Sequence, residues 1–190
     1  MADLVNQALV SLNVSKQKRE NLRLVDEQSL HSRETSANVT IRTLALSDAQ
    51  DLQRNCFPEE TPQSVADYVQ RALRFVKRGH AAHLVAESGG HVVANAQLVC
   101  WRKRAEIGSL VVAKPMRGLG IGTALIQALS DAAADLGAEQ IEIGAEKDDE
   151  RVLDLYRRLG FIPHKEAHVP RDGSDYDHIV YLVKPVPPRS

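Results

Sequence analysis

The sequence predicts one mixed α/β (α+β) domain, a central sheet of antiparallel and parallel strands flanked by helices. Three observations carry this reading. Strand-like runs at 84–86 and 92–100 flank Ser88-Gly89-Gly90, whose glycines supply the positive φ angles of a hairpin turn, and a third run follows at 105–112. Beyond Pro115 the pattern changes to strand, helix, strand, helix; that alternation needs crossovers, hence parallel pairing in part of the sheet. Finally, 190 residues with 43% hydrophobic and 26% charged side chains suffice for one globular core plus a tail.

Residues 1–37 read as an N-terminal extension, because after Leu4, Val5, Ala8, Leu9 and Leu12 the chain becomes a run of Lys, Gln, Glu, Arg and Ser. Its first dozen residues suit either a loose tail or a docking helix, since so short a helix is marginal alone. The domain proper takes 38–185. Val39, Ile41 and Thr43 alternate as a strand, and Ser47 with Gln50 matches a capping box before a short helix towards Phe57. Thr61-Pro62 reads as cap and first position of a second helix, which keeps Val65, Tyr68, Val69, Ala72 and Val76 on one face until Gly79. After the three hairpin strands, Ile121, Ala124, Leu125, Ala128, Leu129, Ala132, Ala133 and Leu136 repeat at helical spacing up to Gly137. Ile141 and Ile143 then mark a strand, and Val152, Leu155, Tyr156 and Leu159 a helix stopped by Gly160. Strands at 161–166 and 178–183 finish the domain, and the proline-rich end leaves 186–190 as a C-terminal tail.

Composition narrows the partners. Lys and Arg at 24 nearly balance Asp and Glu at 25, so no global basic field draws the chain to nucleic acid or anionic membrane. No run reaches the ~20 apolar residues of a membrane span and the N-terminus lacks the basic start of a secretion signal, so the cytoplasm is the expected compartment. Cys56 and Cys100 lack C-x-x-C spacing and are read as reduced thiols. His164, Glu166 and His168 alternate with no fourth ligand in view and are read as solvent-facing, so no metal is expected. His83 and His91 have no identifiable partner in the sequence and read as structural; Trp101 reads as core or cleft wall.

The segment richest in chemistry is Leu110-Val111-Val112-Ala113-Lys114-Pro115-Met116-Arg117-Gly118-Leu119-Gly120-Ile121-Gly122-Thr123, a buried strand, a loop and the first turn of a helix. Glycine has no Cβ, so ligand oxygens can come close to backbone amides that carry partial positive charge at a helix start. Together they make a diphosphate seat, and Arg117 adds a cation that can fork onto a phosphate. Two better known loops do not fit. A P-loop needs a Lys after its last Gly, and the dinucleotide pattern G-x-G-x-x-G would place its third Gly at Thr123 or Leu125.

The segment resembles instead the coenzyme A loop of the GNAT superfamily, [QR]-x-x-G-x-[GA], matched by Arg117, Gly120 and Gly122. A second motif, Leu155-Tyr156-Arg157-Arg158-Leu159-Gly160-Phe161, is similar to the family's Tyr shortly before L-G-F. The family's element order is reproduced from about Val39 to Lys184. The resemblance implies a GNAT fold that holds coenzyme A in a splay between the fourth and fifth strands, and acetyl transfer from acetyl-CoA to an amine. It places the diphosphate on the amides of Arg117, Gly118, Leu119, Gly120, Ile121, Gly122 and Thr123, and the pantetheine arm on the edge of Leu110, Val111 and Val112. Backbone groups of Leu110 or Val112 would polarise the thioester carbonyl.

By the same resemblance Glu106 is the candidate base and shares a face with Gly108, Leu110 and Val112 if the strand alternates regularly. An ordinary edge-strand charge fits Glu106 equally. Tyr156 is the candidate acid for the leaving thiolate, with core packing as the competing role. Asp149 stands where many relatives carry an Asn near the pantetheine, and it also fits a helix cap. The acceptor side falls to 57–61 and 167–176, whose Glu59, Glu60, Asp172 and Asp175 suit a cationic amine, of a small molecule or of a peptide. A homodimer is compatible with the resemblance. A non-catalytic acyl-CoA sensor would keep the glycine loop without needing Glu106 or Tyr156.

Overall fold

In chain order the strands are β1 (Val39–Thr43), β2 (Ala81–Ser88), β3 (His91–Trp101), β4 (Arg104–Val112), β5 (Gln140–Glu146), β6 (Ile162–Pro170) and β7 (Tyr176–Pro185). The helices are α1 (Ala49–Asn55), α2 (Pro62–Lys77), α3 (Ile121–Asp135) and α4 (Glu150–Arg158), with 3₁₀ turns at Leu46–Asp48 and Lys114–Met116. The structure is a computed structural model that describes residues 39–170 and 176–187. The N-terminal extension expected over 1–37, and the expected acceptor residues Asp172 and Asp175, lie outside them.

All seven strands join one mixed sheet in the order β1-β2-β3-β4-β5-β7-β6. Strands β1 to β4 pair antiparallel, β4 and β5 pair parallel, and β5-β7-β6 is antiparallel again. The parallel step follows from α3, which crosses from the end of β4 to the start of β5 and packs over β2, β3 and β4. Each sheet face carries its own apolar core. On the α3–α4 face lie Leu98, Ile107, Leu125, Leu129, Ile143, Tyr156 and Phe161. The smaller core on the α1–α2 face holds Leu52, Val65, Val69, Val85 and Val92.

Local signals set most boundaries. Thr61 Oγ1 accepts from the Ser64 amide at 3.1 Å, so the Thr61-Pro62 cap forms as expected. The Ser47–Gln50 capping box does not. Asp48, 5% exposed, accepts instead from the Ala45 amide at 2.8 Å and from Arg42 through both carboxylate oxygens at 2.8 and 2.9 Å. A forked pair between the half-buried Arg42 and the buried Asp48 carboxylate holds this corner more firmly than a serine hydroxyl could. The histidines are also better partnered than the sequence suggested. His91 lies 3.3 Å from Asp51, and His83 is 2% exposed inside a polar network with Asn95 and Tyr68.

Candidate active site

The fourth and fifth strands part company midway. Register pairs join Arg104–Ile107 of β4 to Gln140–Ile143 of β5 and stop there, while β5 continues along β7 to Glu146. Beyond Ile107 the β4 edge has lost its partner strand, and an unpaired strand edge needs a ligand, water or another chain to satisfy its amides and carbonyls. The opening lies between the fourth and fifth strands, where the resemblance expected a splay.

A bulge in β4 accompanies the opening. Asn95 pairs with Val111 and Gln97 with Gly108, so Ser109 and Leu110 stand opposite the single residue Ala96. Ser109 takes φ of 50°, a left-handed conformation that costs a non-glycine residue about 1–3 kcal/mol. The Asn95 amide donates to the freed Ser109 carbonyl at 2.8 Å. An extra residue inverts side-chain alternation, which corrects one expectation. Glu106 does not share a face with Leu110 and Val112. Ala105 and Ile107 point into the large core and so, past the bulge, do Leu110 and Val112. Glu106 therefore lies on the opposite face, the side on which Val111 meets the α1–α2 core.

On that face Glu106 is half-buried rather than an open edge charge. Burial pushes its carboxyl above the usual range, the neighbouring Glu142 adds to this, and Lys165 opposes it. Glu142 sits beside Glu106 in the parallel register and is bound by Lys165 Nζ at 2.9 Å. The same ammonium lies 4.6 Å from the centre of the Tyr181 ring. Glu142, Lys165 and Tyr181 were missed in the sequence. Glu142 had a signal, since its flanking Ile141 and Ile143 face the core and alternation turns it to the other side; Lys165 and Tyr181 depend on strand pairings that no local pattern encodes.

At the far end of β4 the chain turns through the glycine loop into α3. Gly118 and Gly120 have φ of 82° and 80°, and a Cβ built on either would meet nothing within 4 Å. Gly120 is the N-cap of α3, and no side chain caps that end. A left-handed glycine, an open cradle and first-turn amides without a side-chain cap fit an anionic ligand. A Cβ at Gly122 would only touch Val112 at 3.8 Å, so its own backbone does not demand glycine. Arg117 is exposed and its Nε donates to the Val112 carbonyl at 3.0 Å. One guanidinium N–H ties the loop to the strand, and four donors are left for a ligand. Leu119 is 49% exposed, Ile121 is buried in the core and Thr123 is half-buried.

Tyr156 lies on α4, 5% exposed, its ring 6.2 Å from that of Phe161. Burial pushes its hydroxyl well above the ordinary phenol range, with Asp149 adding to the effect. It shares the large core with Leu110 and Val112, so Tyr156 and Glu106 lie on opposite faces of the sheet. Asp149 is exposed and its Oδ1 accepts from the Val152 amide at 3.1 Å, the geometry of a helix cap. In the expected acceptor segment, Phe57 packs edge-on against Tyr68 at 5.7 Å and Glu60 accepts from Ser64 Oγ at 2.9 Å. His164, Glu166 and His168 are exposed, and Glu166 is bound by Lys147 and His178 at 2.9 and 2.6 Å. Among the described residues no three His, Cys, Asp or Glu side chains converge to hold a metal, and no helix is long and apolar enough to cross a membrane.

These features have relatives. The profile of the Acetyltransferase (GNAT) family matches residues 46–161. An N-alpha-acetyltransferase of Sulfurisphaera tokodaii is 31% identical over 155 residues, covering 71% of this chain and 87% of that protein. N-alpha-acetyltransferase 30 of Schizosaccharomyces pombe is 38% identical over 65 residues, 34% of this chain; the match spans 43% of that protein, less than half its length. Among solved structures, a ribosomal alpha-N-protein acetyltransferase, RimL, in complex with coenzyme A, superposes with a TM-score of 0.69 at 17% identity over 80% of this chain and 97% of its own, a likeness of fold. With a profile match over more than half of its residues and a relative aligned along most of its length, the chain belongs to the GNAT acetyltransferase family.

Proposed function

We propose that residues 38–185 form an N-acetyltransferase domain that moves the acetyl group of acetyl-CoA to a primary amine by direct attack in a ternary complex, in the cytoplasm and without a metal. One observation carries the reading: the β4–β5 opening runs from Ile107 towards the uncapped, glycine-lined N-terminus of α3. The diphosphate would rest on amides of 117–123, with Arg117 adding charge, and the pantetheine would take the place of the missing strand along Leu110 to Val112. A backbone amide near Leu110 or Val112 would stabilise negative charge on the thioester oxygen in the attack.

The acceptor would approach from the Glu106 face. A carboxylate whose pKa is raised is a stronger base at neutral pH than an exposed one, and it would take the ammonium proton directly or through one water. Tyr156, on the opposite face and held protonated by burial, would donate to the departing thiolate. We take a peptide α-amine as the acceptor class. Its pKa of about 8, against about 10.4 for a lysine side chain, asks less of a carboxylate base, and the relatives from Sulfurisphaera tokodaii and Schizosaccharomyces pombe carry the name N-alpha-acetyltransferase. The test is an acetyl-CoA turnover screen with thiol detection over peptides with free α-amines, lysine peptides, polyamines and amino acids. Turnover on the first class alone supports the assignment and turnover on another class refutes the acceptor. Saturable coenzyme A binding with no turnover on any amine makes the chain an acyl-CoA sensor.

A further inference from the structure

We propose that Asn95, held by His83 and Tyr68, is a positioning residue that sets the β4 bulge and so aims the strand's backbone at the thioester; the inference rests on the acetyl-CoA reading above. Asn95 occupies the middle of a central strand, fully buried, where an apolar β-branched residue would be the ordinary choice. Both N–H groups and the carbonyl oxygen of its side chain are engaged. Nδ2 donates to the Ser109 carbonyl at 2.8 Å and to the Tyr68 hydroxyl at 3.2 Å, while Oδ1 accepts from His83 Nε2 at 2.7 Å. Asparagine alone among small side chains offers two N–H donors and a carbonyl acceptor on one planar group.

The partner it holds explains the arrangement. A bulge sets two residues against one, which strips Ser109 of a ladder partner, and Ser109 is also at a positive φ that a serine adopts only when its surroundings over-determine it. The Asn95 bond satisfies that orphaned carbonyl. Without it Ser109 relaxes towards extended geometry, and a slip of one residue exchanges the faces of Leu110, Val111 and Val112. The amides that edge the opening would then miss the thioester carbonyl. His83 supplies the second anchor. Donating from Nε2 leaves Nδ1 as the bare ring nitrogen, and that buried atom has no partner among the described residues, consistent with a neutral imidazole whose task is to orient the asparagine carbonyl. Tyr68, from α2, supplies the third anchor and links the bulge to the helix that covers the Glu106 face.

The experiment compares Asn95→Ala with the unmodified full chain in three readouts: turnover on a peptide α-amine, coenzyme A affinity by calorimetry, and the infrared carbonyl stretch of bound ¹³C-labelled acetyl-CoA. Loss of an aligned oxyanion donor predicts a fall in kcat of about tenfold or more, affinity within about twofold, and a carbonyl stretch moved back towards its value in free acetyl-CoA. If Asn95→Ala does not fold, Tyr68→Phe, which keeps the ring and removes one anchor, carries the same three expectations with a smaller loss of kcat. Unchanged kcat and stretch in the folded variant overturn the clamp, as does a kcat loss matched by an equal loss of affinity. If the unmodified protein gives no heat with coenzyme A, the acetyl-CoA reading falls and takes this inference with it.

Discussion

Replacing Tyr156 with phenylalanine separates chemistry from packing. The ring is 5% exposed and packs with Phe161 at 6.2 Å, and phenylalanine keeps both. Among the described residues the hydroxyl makes no hydrogen bond to protein, so its removal leaves no orphaned partner and stability should stay within about 1 kcal/mol. For a domain near 150 residues that corresponds to a melting shift of no more than about 2–4 °C. Turnover should move much further. A positioned acid is worth about 10²–10⁴-fold, and because burial has raised this phenol above its ordinary pKa it is a weaker donor, which favours the lower end, about 10²-fold or 2.7 kcal/mol. The assay is thiol release under saturating acetyl-CoA, run beside calorimetric coenzyme A affinity and thermal unfolding. A variant that turns over within about twofold of the unmodified protein would remove Tyr156 as the acid and leave packing as its whole role.

Four further outcomes are expected. Glu106→Gln should lower turnover by about 10²-fold and raise the melting temperature at neutral pH. The raised carboxyl pKa means its ionised form opposes folding, so this stability gain should disappear as pH falls below the ordinary Glu value of about 4.3. Burial lowers His83 to about 4, so its contribution is complete above about pH 6.5 and is lost as pH falls through 4, about 3 kcal/mol in all; urea unfolding across that window should show the loss in the unmodified protein and not in His83→Gln. Gly120→Ala, at φ of 80°, should cost about 1–2 kcal/mol and weaken coenzyme A binding, whereas Gly122→Ala should add up to about 1 kcal/mol of helix stability and retain binding; denaturant titration and calorimetry read the pair. Asp149→Ala should cost about 0.5–2 kcal/mol by loss of the cap with kcat unchanged, and a large loss of coenzyme A affinity would show that Asp149 serves the ligand as well.

What could be read along the chain was what local chemistry controls. Apolar spacing at 3.6 residues marked α2, α3 and α4, the glycine pair at 89 and 90 marked the β2–β3 hairpin, and Thr61-Pro62 marked the start of α2, because each rests on neighbours a few residues apart. The glycine loop was equally legible, since positive φ at Gly118 and Gly120 is a local backbone demand. The face on which Glu106 sits was not. Regular alternation aligned it with Leu110 and Val112, but an inserted residue reverses alternation, and nothing near Ser109 in sequence announces a bulge that is held by Asn95 on another strand. His83, Asn95, Tyr68, Glu142, Lys165 and Tyr181 acquire their roles from register between distant segments. Sequence alone therefore determined the order of elements and the glycine turn before α3, where the deciding forces act within one or two turns of chain. Only the tertiary structure decided which side chains face one another across the opening, because that depends on long-range strand pairing, where one residue of register turns every side chain to the other face.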